Sequence, residues 1–226
     1  MRYDPAEGRE PHLETYQVDT EPGDRVLDLL LRVKWYQDGT LTFRRSCGQG
    51  ICGSDAMLIN FRNRLACKLL VKELGPTIDV RPLPTLRVIR DLVVDLEPFF
   101  QHYAELMPWL VNHEPPPDGK ERRQSPEERL RFDDTTKCIL CAACTTACPP
   151  FWANHRFVGP AAIVNAHRFI FDSRDRAGSE RLDLLNRRFG AWGCRLVFNC
   201  TEVCPRGIQI TNAIEECKRA IAEEKI

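Results

Sequence analysis

No stretch of this 226-residue chain approaches the roughly 18–20 apolar residues that a membrane-spanning helix needs. The longest candidate, around Val26–Trp35, is interrupted by Asp28, Arg32 and Lys34. The opening Met1-Arg-Tyr-Asp-Pro-Ala-Glu-Gly-Arg-Glu10 lacks the apolar core of a secretory signal, and its early acids do not suit a transit peptide. Net charge is lacking too: 32 basic residues balance 32 acidic ones, which gives no support for a polyanion partner such as nucleic acid. The five histidines (His12, His102, His113, His155 and His167) show no metal-ligand spacing and read as surface or core residues. Together these absences describe a chain soluble in itself and held in a reducing compartment.

Cysteine is what the sequence has in excess. Eleven of them in a reducing compartment suggest metal rather than disulfides. They are bunched at 47, 52 and 67, at 138, 141, 144 and 148, and at 194, 200 and 204, with Cys217 apart. Glu114-Pro-Pro-Pro-Asp-Gly-Lys-Glu-Arg-Arg-Gln-Ser-Pro126, rich in proline and charge, separates the first bunch from the others. This predicts a domain over residues 1–112, a linker over 113–125 and a second domain over 126–226.

The first domain reads as small and α+β. Thr15–Asp19 alternates like a strand. Asp24 is placed to cap a helix carrying Val26, Leu27, Leu30, Leu31 and Val33, ending before Gly39. Further strands are expected at Ala56–Asn60, Leu65–Val71 and Thr77–Arg81, with a turn at Arg62-Asn63, and a helix through Glu97–Leu110. In the second domain β patterning is scarce. Ser125 and Pro126 mark a helix start, with Glu127 and Glu128 on its positive end. Helices are expected near Ala161–Asp172, Glu180–Phe189 and Ile210–Glu224, so this half is read as all-α.

Cys138-x2-Cys141-x2-Cys144-x3-Cys148-Pro149 matches the bacterial two-cluster ferredoxin run at every position. In that arrangement the first three thiolates serve one cluster and the fourth serves the other, so a second run must follow. Cys194-x5-Cys200-x3-Cys204-Pro205 is that run, with Val197 in place of its second cysteine. Exchanging the last members gives Cys138, Cys141, Cys144 and Cys204 for a [4Fe–4S] cluster. It leaves Cys148, Cys194 and Cys200 with no fourth thiolate. The economical outcome there is [3Fe–4S]. A [4Fe–4S] cluster with one open iron is the rival and would imply Lewis-acid chemistry. Zinc would account for CxxC pairs but has no need of two interlocked runs ending in Cys-Pro.

The plant-type ferredoxin pattern is C-x4-C-x2-C with a distant fourth cysteine. Cys47-x4-Cys52-x2-Asp55, followed by Cys67, fits it with one substitution. A carboxylate can ligate iron as a harder donor than thiolate. The competing reading is a broken site. The intact glycines Gly48, Gly50 and Gly53 and the retained Cys67 favour a [2Fe–2S] cluster with Asp55 as ligand or close to it. Ten cysteines are then assigned, and Cys217 reads as packing.

The chain resembles the iron–sulfur subunits of succinate dehydrogenase and fumarate reductase over nearly its whole length. Arg44-Arg-Ser-Cys-Gly-Gln-Gly-Ile-Cys-Gly-Ser-Asp-Ala-Met57, Cys138-Ile-Leu-Cys-Ala-Ala-Cys144, Cys148-Pro, Gly159-Pro-Ala-Ala162, Asp172-Ser-Arg-Asp175 and Cys200-Thr-Glu-Val-Cys-Pro205 carry the resemblance. It implies a plant-type (β-grasp) ferredoxin domain followed by a helical two-cluster domain. It implies that electrons from succinate, oxidised at FAD on a separate flavoprotein, pass through [2Fe–2S], [4Fe–4S] and [3Fe–4S] to a quinone beside membrane-anchor subunits. Haem would sit on a partner if present. The resemblance also implies a peripheral position, on the cytoplasmic face of a bacterial membrane or the matrix face of a mitochondrion.

Pro149 and Trp152 match residues that line the quinone site in relatives, although an aromatic packed against the anchor would look the same. Arg195 stands where ubiquinone-linked members often carry histidine, which makes menaquinone as well as ubiquinone a possible acceptor. Met1 stands almost directly on the Arg2-Tyr-Asp-Pro5 segment, so the first sheet strand is expected to be truncated or the start site to lie elsewhere. The same subunit of a quinol:fumarate reductase shares every ligand and is the alternative. A free ferredoxin-like carrier is the reading from another class.

Overall fold

The computed structural model describes residues 1–8 and 10–223. In chain order its elements are α1 (Val26–Tyr36), β1 (Ala56–Ile59), β2 (Arg62–Leu65), β3 (Val80–Arg81), β4 (Val88–Arg90), β5 (Val93–Val94), α2 (Glu97–Glu105), α3 (Pro126–Asp133), α4 (Ala143–Thr146), α5 (Pro149–Ala153), α6 (Pro160–Ile170), α7 (Gly178–Leu185), α8 (Asn199–Glu202) and α9 (Ile210–Glu223). By contacts the chain divides into residues 1–96 with 139–147, and residues 97–138 with 148–226. The division thus falls after Leu96, whereas the sequence reading draws it at 112, because α2 buries Phe99 and packs on α6.

In the first unit β1 is the centre of an antiparallel sheet ordered β2-β1-β3. The i, i+3/i+4 face of α1 (Val26, Leu27, Leu30, Val33) packs in one core with Met57, Ile59 and Leu65. The Asp28 carboxylate accepts from the Arg25 amide at 2.9 Å and so closes the start of α1. Asp24 does not cap it. Its carboxylate takes both guanidinium nitrogens of Arg32, at 2.5 and 2.9 Å, and the Glu21 amide at 2.7 Å.

Three strand readings are corrected. Residues 15–19 run without strand pairing. The alternation reports burial, since Tyr16 and Val18 pack on the core. Backbone carbonyls here accept from side chains instead: Gln17 from Gln37 and Asp19 from Arg32. The hairpin turn is Asn60-Phe61, both at positive φ (45° and 60°), so Arg62 and Asn63 already lie in β2. Two left-handed residues are what a two-residue hairpin demands, but phenylalanine does not advertise them. The apolar run after Leu65 is a turn around Cys67, not a strand. Thr77–Arg81 pairs only at Val80 and Arg81.

In the second unit α6 is the hub, packing against α2, α3, α7 and α9. Ten of its residues are buried, and Asn165 and His167 are its buried polar members. Ser125 caps α3 as expected: its Oγ accepts from the Glu128 amide at 3.2 Å, and the Glu128 carboxylate accepts from the Ser125 amide at 2.7 Å. The helix expected to reach Leu110 stops at Glu105, and Met107 follows at φ 48°. Fully buried Arg181 explains the segment after it. Its guanidinium pairs with Asp175 at 2.7 and 3.1 Å and donates to the carbonyls of Met107 at 3.0 Å and Trp109 at 2.7 Å. The α9 helix buries Ile210, Ala213, Ile214, Cys217 and Ala220, one helical face. Its expected last residue, Glu224, lies outside the described residues.

Candidate cluster-binding sites

The loop from Cys47 to Asp55 coils back on itself. Gly48, Gly50 and Gly53 all take left-handed conformations (φ 67°, 72° and 71°), which glycine adopts without steric cost. The result is a nest of amides aimed at sulfur. Gln49, Ile51 and Cys52 donate to Cys47 Sγ at 3.3, 3.4 and 3.4 Å, and Gly50 donates to Cys67 Sγ at 3.2 Å. Amides so directed stabilise anionic sulfur. The Ser54 hydroxyl and amide, together with the Cys47 amide, hold the Cys52 thiol down at about 6. Gly53 has a second reason to be glycine: a Cβ there would stand 2.6 Å from Cys141 Cβ.

Asp55 is 2% exposed and belongs to the same site. Its Oδ2 accepts from the Cys67 amide at 2.6 Å, while its buried Oδ1 has no hydrogen-bond partner. A buried carboxylate oxygen without a partner costs about 1–3 kcal/mol or more. Direct ligation of a metal would satisfy it. Burial, with Asp55 beside it, pushes the Cys67 thiol up to about 12. A thiol so placed ionises most readily against a cation. The donor set Cys47, Cys52, Asp55 and Cys67 therefore fits a cationic iron–sulfur group.

The two later runs repeat one another in backbone as well as in sequence. A 3-10 turn (Asp134–Lys137) leads into Cys138, and another (Ala191–Gly193) leads into Cys194. Leu140 and Ala142 are left-handed (φ 53° and 62°), as are Leu196 and Phe198 (φ 55° and 68°). The short helices α4 and α8 then carry Cys144 and Cys200. Leu140 and Leu196 agree to 2°, and Ala142 and Phe198 to 6°, in a region that residues other than glycine disfavour, so the two runs follow one backbone path. Val197 occupies the Cys141 position of the second copy and is 48% exposed.

Cys148, Cys194 and Cys200 line one shallow hollow, with Pro149, Arg195 and Val197 on its wall. Burial, and with the same sign Cys200 and Cys194 nearby, pushes the Cys148 thiol up to about 11. Thr211 approaches Cys200 Sγ at 3.8 Å. Three thiols and a valine around this hollow fit a cluster with three protein ligands. Of the other set, Cys141 and Cys144 belong to the first unit and Cys138 and Cys204 to the second. Among the described residues no three His, Cys, Asp or Glu side chains close on a single metal ion. Ligands to one zinc would lie within ~4 Å of each other.

Trp152 is half-exposed on α5, one turn beyond Pro149, and Arg195 is exposed beside the hollow. Cys217 is fully buried in α9, and burial raises its thiol, as befits packing. His167 is a core residue, bonded to Thr135 and Glu216. Sequence reasoning missed Ser54, Thr211 and Asn165, whose side chains contact Cys52, Cys200 and Cys138. Only Asn165 left a trace, as an amide inside the apolar stretch Ala161–Ile170.

A family model described as a 2Fe-2S iron-sulfur cluster binding domain matches residues 1–101, and one described as a 4Fe-4S dicluster domain matches residues 134–208. The succinate dehydrogenase iron-sulfur subunit of Paracoccus denitrificans is 45% identical over 98% of this chain and 86% of its own length. The chain belongs to the family of succinate dehydrogenase iron–sulfur subunits. The Coxiella burnetii member is 40% identical over 99% of this chain and 96% of its own. Among solved structures, the Mycobacterium smegmatis Sdh1 complex in the apo form contains a chain of 30% identity that superposes with a TM-score of 0.87, covering 99% of this chain and 94% of that one. The fold is thus the expected [2Fe–2S] ferredoxin domain followed by a helical dicluster domain. The chain is an electron-transfer subunit of an oxidoreductase complex.

Proposed function

We propose that this chain carries electrons, released as succinate is oxidised at FAD on a partner flavoprotein, to a membrane quinone. The route runs through [2Fe–2S] held by Cys47, Cys52, Asp55 and Cys67, then [4Fe–4S] held by Cys138, Cys141, Cys144 and Cys204. It ends at [3Fe–4S] held by Cys148, Cys194 and Cys200. One observation carries the reading most directly: three thiols line one hollow, and a valine holds the place of the fourth ligand. Valine offers iron no donor atom, which favours the three-iron form over an open four-iron cluster. No acid–base pair lines that hollow, as a hydratase would need. The chain's own residues hold the metal groups and direct amides at their sulfurs, and the bound clusters would supply single-electron exchange.

The quinone is placed at the exit of this path. Pro149 and Arg195 border the hollow, and Trp152 offers a flat apolar wall one turn away. Among the described residues no helix is long and apolar enough to cross a membrane, so we assign anchoring to partner subunits. The resulting position is peripheral, on the cytoplasmic face of a bacterial membrane. EPR of the purified complex at stepped potentials tests the assignment. It should resolve three signals: a reduced [2Fe–2S], a reduced [4Fe–4S] and an oxidised-state [3Fe–4S]. A complex with full iron content and no oxidised-state [3Fe–4S] signal would overturn it.

A further inference from the structure

Asn165 sits in the middle of α6, a helix otherwise buried and largely apolar, and is itself only 6% exposed. A buried amide costs about 1–3 kcal/mol unless its hydrogen bonds are made. Here both donors of one nitrogen have partners. Nδ2 donates to the Ala161 carbonyl at 2.8 Å and to Cys138 Sγ at 3.3 Å. The orientation follows from chemistry. Turned over, the amide oxygen would face a carbonyl and a sulfur that both accept. The first bond is local, one turn back along the helix. The second reaches 27 residues back in sequence to the first cysteine of the two-cluster run.

The second bond adds nothing to the α6 backbone ladder, and a leucine would keep the same branched shape without a donor. We infer that Asn165 is a positioning and tuning residue for the [4Fe–4S] cluster, raising its reduction potential by donating a hydrogen bond to the Cys138 ligand sulfur. This rests on the assignment of Cys138 to the [4Fe–4S] set. Reduction adds negative charge to the cluster and its sulfurs, so a donor aimed at sulfur stabilises the reduced state more than the oxidised one. Hydrogen bonds to the sulfurs are among the factors that set cluster potentials. Asn165 touches no substrate and transfers no group.

The test uses the purified complex, with each cluster's potential read by EPR titration. Asn165→Leu keeps the branched shape and removes the donor. Asn165→Gln keeps an amide on one more methylene. In the leucine variant the [4Fe–4S] reduction equilibrium should become roughly tenfold less favourable, a fall of about 59 mV for a one-electron couple. The other two clusters should hold their potentials, and glutamine should recover part of the fall. An unchanged [4Fe–4S] potential in the leucine variant overturns the inference. So does a glutamine variant that falls as far as leucine, since packing would then be the cause. If the leucine variant loses the cluster, pulsed EPR of the unsubstituted complex labelled with [15N]asparagine decides: a nitrogen coupling to the reduced cluster supports the bond, and its absence overturns it. Failure of the underlying assignment looks different. Cys138→Ala would then leave the [4Fe–4S] signal intact, or the Asn165→Leu shift would appear on the [3Fe–4S] signal.

Discussion

Val197 and Asp55 each stand where a ferredoxin run has cysteine, yet their side chains do opposite things. Val197 is half-exposed, borders the hollow of Cys148, Cys194 and Cys200, and presents only methyl groups. The backbone around it keeps the left-handed Leu196 and Phe198 that match Leu140 and Ala142 about Cys141. A cysteine at 197 would therefore inherit a path already shaped for a ligand. Val197→Cys should convert the last cluster toward [4Fe–4S], seen as loss of the oxidised-state [3Fe–4S] EPR signal. Persistence of that signal in a fully loaded variant would sink the three-iron assignment. Asp55 instead keeps one oxygen on the Cys67 amide and leaves the other buried without a partner. Asp55→Cys should retain a [2Fe–2S] cluster at a lower potential, because thiolate donates more strongly than carboxylate. Asp55→Ala should lower the iron content of that site. A [2Fe–2S] signal unchanged in both potential and intensity across the two variants would remove Asp55 from the ligand set.

At the level of elements, Arg181 joins α7 to the 107–111 segment and to the Asp172–Asp175 turn. Asp175 receives the guanidinium together with the Val111 and Ala177 amides, all inside the fold. Removing one member of a buried pair is expected to cost about 3–5 kcal/mol, because the partner charge stays buried. Arg181→Met should therefore lower the urea midpoint of the cluster-loaded chain substantially. Arg181→Lys should fall between the two, since lysine keeps the charge but loses the planar fork. Equal midpoints for Met and the unsubstituted chain would show that the pair is dispensable. Elements such as this one also mark what could be read in advance. The cysteines we propose as cluster ligands are close in sequence and at fixed spacings, so their three bunches could be seen in advance. So was Ser125, whose capping partners lie three residues away. The strand readings failed where apolar patterning reports burial without reporting the hydrogen-bond partner. Tyr16 and Val18 are inward-facing, but their neighbours' carbonyls are served by Gln37 and Arg32. The run Ala66–Val71 is apolar because it surrounds a buried thiol. The bonds that give Asn165 and Arg181 their places reach 27 and 74 residues along the chain, so the sequence showed Asn165 only as an amide in an apolar stretch and did not single out Arg181.

For the whole molecule, the decisive feature is a set of exposed apolar side chains that the chain does not cover itself. Trp152, Trp192, Leu196, Val197 and Phe198 are each 39–50% exposed, and all belong to segments bearing Cys148, Cys194 and Cys200. Exposed apolar groups concentrated in this way mark interaction surfaces more often than free surface. No described helix can cross a membrane to explain them. A subunit of an oxidoreductase complex also meets partner subunits. The proposed path has a partner at each of its two ends. The cluster-loaded chain expressed alone should therefore give no succinate-dependent dye reduction and should self-associate in the absence of detergent. Co-expression with the flavoprotein should restore dye reduction. Addition of the anchor subunits should then bring quinone reduction and a stable complex on gel filtration. Ser or Asp at Phe198 should weaken that last association, which pull-down with tagged anchor subunits would measure, while leaving succinate-to-dye activity in place. Succinate oxidation by the isolated chain, or a monomer that binds neither partner, would contradict the relay reading, since a carrier with no fixed ends has no need of an uncovered apolar face beside its last cluster.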